Sequence, residues 1–272
     1  MLESTESIRI YYGDNEHQFG DLRIPNGAGP FPVAVVIHGG FWKARSGLDG
    51  MNKVAADLTS RGIATWNIEY RRVGHEGGGW PGTFIDAANA ADYVNTLAAS
   101  YPIDMNRAIT LGFSAGGHLA LWLAARHRLP ATSILKTTDT PLKLKGAVCL
   151  AGVGDLALMQ EVHHRREVRQ NVEENPVFNL LNGNPAMVPE RYREASPIEL
   201  LPLGVKQLLF HGAVDINVPI GISYSYTKAA EQAGDPIALI ELPTVEHFKL
   251  IDTESEVWPE AASEIVKLIQ FI

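Results

Sequence analysis

A single cysteine, Cys149, stands among the 272 residues. An internal disulfide framework is therefore excluded, and the chain suits a reducing compartment, the cytoplasm. No apolar run is long enough to span a bilayer; the longest, at residues 33–37 and their neighbours, has the length of a buried strand. Residues 1–7 are acidic and polar and lack the basic segment and apolar stretch of a signal peptide. Positive charge is also scarce, since 23 Lys and Arg face 31 Asp and Glu, a formal charge of −8. That balance disfavours nucleic acid and anionic membranes as partners. The sequence contains no H-E-x-x-H, no C-x-x-C and no G-x-x-x-x-G-K, so the common zinc, redox-pair and phosphate-loop chemistries are unsupported. No metal and no cofactor is expected.

Hydrophobic residues make up 46% of the chain and charged residues 20%, with 25 Gly and 16 Pro spread along it. This composition supports a sizeable core, and residues 1–272 read as one domain. Short apolar runs bounded by turn residues alternate with stretches of helical spacing, the pattern of a mostly parallel sheet with helices on both faces. Residues 7–12 and 18–24 flank Gly13, Asp14 and Asn15 and predict an antiparallel hairpin at a sheet edge. Further strands are predicted at 33–37, 64–70, 108–113, 146–150, 207–210 and 237–242, giving an α/β fold with eight strands. Helices are expected at 48–60, 84–99, 115–128, 221–232 and 255–272. In the second of these, Ala87, Ala91, Val94 and Ala98 share one face. Residues 152–202 show no convincing strand and read as a lid insertion, too short for a core of its own.

The strongest chemical signal is Gly112, Phe113, Ser114, Ala115, Gly116, a G-x-S-x-G placed where an apolar strand runs into a helical segment. Flanking glycines permit a strained turn that lifts a serine hydroxyl out of the sheet toward a helix N-terminus. Ser114 is therefore the expected nucleophile. Directly after the strand at 33–37 come His38, Gly39, Gly40, Phe41 and Trp42. Acyl transfer needs donors aimed at the developing oxyanion, and the amides of Ala115 and of Gly40 or Phe41 are the candidates. His38 reads as a buried structural histidine. Trp42 fits a core or a pocket wall, and with Trp80 it is a candidate substrate contact. Of nine histidines, His247 follows the last strand, where the general base belongs by chain order. Asp215, in H-G-A-V-D-I-N-V-P, is the expected acid, with Asp155 as its rival. His211 reads as packing or positioning a loop, and Glu246 as remote from the chemistry. Cys149 lies in an apolar strand and reads as inert core. His163 and His164, beside Arg165 and Arg166, read as a solvated face rather than a metal site.

These residues resemble the esterase, lipase and kynurenine formamidase branch of the α/β-hydrolase superfamily over nearly the whole chain. The segment His38–Gly39–Gly40–Phe41–Trp42 is similar to the H-G-G-x-W of kynurenine formamidases, residues 112–120 (G-F-S-A-G-G-H-L-A) to their nucleophile segment, and V-E-H-F at 245–248 to their histidine loop. The resemblance implies the Ser114, Asp215, His247 triad and an oxyanion loop at Gly40 and Phe41. Phe113 stands where formamidases often carry histidine, and residues 73–82 have no counterpart there. The implied activity is a serine hydrolase acting on small apolar or aromatic carboxylic esters, with aryl formamide hydrolysis as the alternative and a non-catalytic binding role as a remote one. Residues 152–202 and 74–82 are expected to cover Ser114, with Met159, Val177, Phe178, Leu180, Met187 and Trp80 offering apolar surface. The partner expected is a small-molecule ester or amide; the sequence leaves the oligomeric state open, a dimer included.

Overall fold

Strand β3 (Phe31–Ile37) divides its side chains between two apolar clusters, Val33, Val35 and Ile37 in one, Ala34 and Val36 in the other. Side chains alternate along a strand, so apolar residues at every position require cover on both faces of the sheet. The computed structural model, which describes residues 6–171 and 174–272, supplies that cover. The N-terminal leader reading in part, and residues 172–173 of the insertion, fall outside the described residues.

One eight-stranded sheet runs in the order β1-β2-β4-β3-β5-β6-β7-β8. The edge hairpin β1 (Ile8–Tyr11) and β2 (Phe19–Arg23) is antiparallel and joins β4 (Ala64–Ile68) antiparallel. From β4 onward, β3, β5 (Ile103–Phe113), β6 (Gly146–Leu150), β7 (Lys206–Gly212) and β8 (Ile237–Leu242) are parallel. Helices α1 (Asn52–Ser60) and α9 (Trp258–Gln270) cover one face, where Val54, Leu58, Trp258 and Ile265 meet Ile109, Leu111 and Phe210. On the other face lie α2 (Gly82–Asp92), α3 (Val94–Ala98), α4 (Ala115–Ala125) and α8 (Gly221–Gln232). Phe84, Leu97, Leu119, Trp122, Ile222 and Tyr226 form their buried surface. This is the α/β-hydrolase fold expected from the sequence.

The differences from expectation have identifiable causes. The helix expected at 84–99 breaks at Tyr93, because Trp66 Nε1 donates to Ala90 O at 2.8 Å and competes for the carbonyl that Val94 would use. Strand β5 starts earlier, at Ile103, since its first residues pair with Phe31 and Pro32 before a register shift brings Ala108 opposite Val33. The first turn of the helix expected at 48–60 is 3₁₀, Leu48–Met51.

The insertion is helical, with α5 (Leu156–Gln170), α6 (Pro176–Leu181) and α7 (Pro189–Ala195). Asp155 caps α5 by accepting from Leu158 N at 3.0 Å, and Asn175 caps α6 from Phe178 N at 3.2 Å. Met159, Val177, Leu180 and Tyr192 are buried in the same cluster as Trp42, Phe84 and Trp122. The insertion is thus docked on the sheet by a shared core. Among the described residues no helix is long and apolar enough to cross a membrane.

Gly116 sets how closely α4 can approach the sheet, because a Cβ there would lie 2.1 Å from Ile37 O, whereas at Gly221 nothing lies within 4 Å. Gly116→Ala should destabilise the fold by about 3 kcal/mol or more, since backbone rather than a movable side chain must give way. Gly221→Ala should fall within about 0.5 kcal/mol of wild type or be slightly stabilising. Urea unfolding of both variants checks this; equal midpoints would refute the packing argument.

Candidate functional site

Strands β3, β5, β7 and β8 end on the same edge of the parallel sheet, and each hands the chain to a segment carrying a predicted site residue. Ligands of open α/β sheets bind at this carboxyl edge. Between β5 and α4, Ser114 adopts φ 55° and ψ −119°, a conformation that L-residues rarely hold. Its amide donates to Leu150 O at 2.8 Å, tying the turn to the neighbouring strand. The glycines of the pentapeptide are needed for approach: a Cβ at Gly112 would sit 2.0 Å from Gly116 O.

Asp215 follows β7 and His247 follows β8. His247 Nδ1–H donates to Asp215 Oδ2 at 2.5 Å, with both side chains buried. Asp215 Oδ1 accepts from the amides of Asn217 at 2.8 Å and Val218 at 2.9 Å. Burial alone would raise this carboxyl, but the His211 ring, with Nε2 3.4 Å from Oδ2, the hydrogen bond and charge of His247 and the Val218 amide hold it well below the usual carboxylate range. His211 is itself buried, its Nε2 donating to Val218 O at 2.8 Å and its Nδ1 meeting the Ser223 hydroxyl at 2.7 Å. It holds the loop that carries Asp215. The rival, Asp155, caps α5 and receives the Ser225 hydroxyl at 3.3 Å, with no bond to His247. Glu246 accepts from Phe248 N at 3.0 Å and so shapes the turn that carries His247.

Facing Ser114 is the loop after β3. Gly40, Phe41 and Trp42 all have positive φ, at 113°, 54° and 56°. A Cβ on Gly39 would lie 2.8 Å from Phe113 O, so this loop touches the backbone just before the serine. Among the described residues, the amides of Gly40, Phe41 and Ala115 donate to no acceptor in the protein. His38 anchors the loop, with Nδ1 2.8 Å from Gly39 O and Nε2 2.9 Å from Glu69 Oε1. Glu69 also accepts from Leu48 N and Tyr70 N and is ion-paired with the Arg72 guanidinium. The Tyr70 hydroxyl donates to His38 O at 2.9 Å while its ring stacks on the imidazole.

Ser114 and His247 open on one cavity of about 370 Å³, whose walls include Gly40, Phe41, Arg45, Met51, Phe113, Asn217, Phe248 and Ile251. Several expectations are corrected here. Trp42 is buried, edge-on to His118, and Trp80 packs on Phe84 with its amide bonded to Leu180 O; neither lines the cavity. Among the described residues, 74–82 and the insertion supply no wall either, because their apolar side chains are spent on docking the two to each other and to the sheet. Met187, expected among the apolar contacts, is exposed instead. His163 is not solvated: it is buried with its ring edge-on to Phe41, and burial, Arg166 and Lys43 lower it to about 4. His164 is exposed as expected. Cys149 is buried in β6, and burial pushes its thiol up to about 12.

Sequence reasoning missed Phe113 and Phe248 as supports of the imidazole, with ring centroids 4.6 and 5.2 Å from it. Their positions beside Ser114 and His247 were the available signal. Met51 and Ile251 come from segments that carry no motif. Among the described residues no cluster of three or more His, Cys, Asp or Glu could hold a metal.

The α/β-hydrolase architecture recurs in solved structures. A truncated carbohydrate esterase from gut microbiota superposes with a TM-score of 0.81 at 21% identity, covering 99% of each chain. Esterase B from Lactobacillus rhamnosis gives 0.81 at 17% identity, covering 98% of this chain and 86% of its own. Among curated relatives, the esterase LipC of Mycobacterium tuberculosis is 25% identical over 249 residues, 90% of this chain and 60% of LipC. The isoprenylcysteine alpha-carbonyl methylesterase ICME of Arabidopsis thaliana is 28% identical over 251 residues, 85% of this chain and 54% of ICME. The chain thus spans little more than half the length of these relatives. The BD-FAE family model matches residues 21–229, well over half of the sequence, and the chain belongs to the BD-FAE family within the α/β-hydrolase superfamily.

Proposed function

We propose that the protein is a carboxylic ester hydrolase that acylates Ser114. The observation that carries this reading is the convergence, on one cavity, of a serine held at positive φ, an imidazole bonded to a buried carboxylate, and backbone amides without protein acceptors. Ser114 Oγ attacks the ester carbonyl carbon as His247 Nε2 takes its proton. The oxyanion then forms against the amides of Ala115 and of Gly40 or Phe41. His247 returns the proton to the departing alkoxide, and water repeats the sequence to release the acid. Asp215 holds the imidazole in the tautomer that leaves Nε2 free to accept. The relatives named as esterases and methylesterases support the same bond class. The lone, buried Cys149 fits a cytoplasmic protein.

The cavity walls favour a small substrate with an apolar or aromatic group, since Phe41, Met51, Phe113, Phe248 and Ile251 dominate the lining and the volume is near the lower end for ligand pockets.

Ser114→Ala should lower turnover of p-nitrophenyl acetate by about 10³-fold or more, with an unchanged circular dichroism spectrum. Near-wild-type turnover would overturn the nucleophile assignment. Specificity constants for p-nitrophenyl esters from acetate to octanoate should exceed that for N-formyl-L-kynurenine; the reverse order by about 100-fold would favour the aryl formamide reading. A third expectation concerns stability. The Asp215 carboxyl titrates lower in the fold than when unfolded, so its ionised form stabilises the protein above about pH 4, and this contribution fades as pH falls toward the folded value. The stability difference between wild type and Asp215→Asn, measured by denaturant unfolding, should shrink from about pH 5 to about pH 3. A difference that grows over that interval would contradict the depressed carboxyl.

A further inference from the structure

Both ring nitrogens of His38 face groups that can only accept. Nδ1 lies 2.8 Å from the Gly39 carbonyl and Nε2 lies 2.9 Å from Glu69 Oε1. A neutral imidazole has one N–H, so one of these buried contacts would then set lone pair against lone pair. Glu69 cannot supply the missing hydrogen. Its carboxylate already accepts from Leu48 N at 3.1 Å and Tyr70 N at 2.9 Å, and it is ion-paired with the Arg72 guanidinium, whose Nη2 lies 3.1 Å away. Although burial opposes its ionisation, the His38 hydrogen bond and charge, Arg72 and the Tyr70 amide hold the carboxyl below its ordinary value.

We infer that His38 is carried as an imidazolium and acts as a positioning residue, setting through its Gly39 contact the direction of the Gly40 amide that the ester reading uses as an oxyanion donor. The link is the geometry of one peptide unit. The Gly39 carbonyl and the Gly40 N–H belong to the same planar trans peptide and point in opposite directions. Fixing the carbonyl on Nδ1 therefore fixes the N–H. The loop needs such a hold, because Phe41 and Trp42 both sit at positive φ, where L-residues cost about 1–2 kcal/mol each. Gly40 itself cannot be replaced without collision, since a Cβ would lie 2.2 Å from Ser46 Cβ.

Charge matters as well as direction. The groups around the imidazole are Glu69, the Arg72 guanidinium sharing Glu69 Oε1, and Tyr70, stacked at 4.5 Å with its hydroxyl on His38 O. One carboxylate thus faces two cations, and the surplus positive charge lies beside the loop where the oxyanion would form. A fixed positive charge in a site shielded from water favours an anionic transition state over a neutral ground state. The effect should appear in kcat more than in KM.

The test combines spectroscopy with kinetics. In ¹⁵N-labelled wild-type protein at pH 7, His38, assigned by comparison with His38→Gln, should show two ring N–H signals and the nitrogen shifts of an imidazolium. Glu69→Gln and His38→Leu should lower kcat for p-nitrophenyl acetate about 10- to 100-fold with KM changed less than about threefold. His38→Asn, whose Nδ2 can donate to the Gly39 carbonyl as Nδ1 does, should recover about tenfold of the loss seen in His38→Leu. A single ring N–H for His38 in the wild type overturns the inference whether or not Glu69→Gln or His38→Leu folds. So does an unchanged kcat in folded His38→Leu. Failure of the ester reading would show instead as absent turnover by the wild type, which leaves the spectroscopic result to decide the state of His38.

Discussion

At the carboxyl edge of the sheet, backbone meets backbone with no side chain between. A Cβ on Gly116 would strike Ile37 O, one on Gly112 would strike Gly116 O, and one on Gly39 would strike Phe113 O. These three approaches seat α4 on β3 and β5 and turn Ser114 out of the sheet. They also bring the loop after β3 against the serine and leave the amides of Gly40, Phe41 and Ala115 without protein acceptors. The two sides of the sheet are packed by ordinary apolar burial, but the register between the loop and the serine is set by this glycine-only contact.

The polar groups behind the cavity divide into two kinds. Asp215 and Glu69 are buried carboxylates kept ionised by several donors each, and each meets a histidine. They differ in what the histidine can do. His38 is engaged at both nitrogens, whereas the bond recorded for the His247 ring uses Nδ1. His211 is a third case, since Nε2 must carry hydrogen to meet Val218 O while Nδ1 can accept from Ser223. Three imidazoles near one edge thus hold three different hydrogen-bonding roles, fixed by their neighbours rather than by the residue type.

What was legible in the sequence follows from distance along the chain. The turn at Ser114, the loop at His38 and the position of His247 are local patterns, and a strand running into glycines or into a short loop carries its geometry with it. The choice between Asp215 and Asp155 was less secure, because both follow a strand and only three-dimensional contact shows Asp155 occupied as a helix cap. Trp42 and Trp80 misled because an aromatic near a motif fits a pocket wall as well as a core, and their burial depends on how the insertion docks. The break at Tyr93 was invisible for a similar reason: Trp66, which takes the Ala90 carbonyl, lies on a strand far away in sequence. Met51 and Ile251 carry no motif at all and meet only when α1, α9 and the β8 loop pack on the same face.

The cavity wall formed by Arg45, Met51, Phe248 and Ile251 belongs to two short segments, 45–51 and 248–251, that are separate from the serine turn. Much of the cavity wall therefore lies on stretches of chain apart from the serine turn. Substitutions in those two segments can enlarge, narrow or recharge the opening while the glycine contacts beneath remain untouched. Under the proposed ester reading, the charge of the opening can then change at Arg45, an exposed residue, while the glycine contacts that seat Ser114 stay fixed.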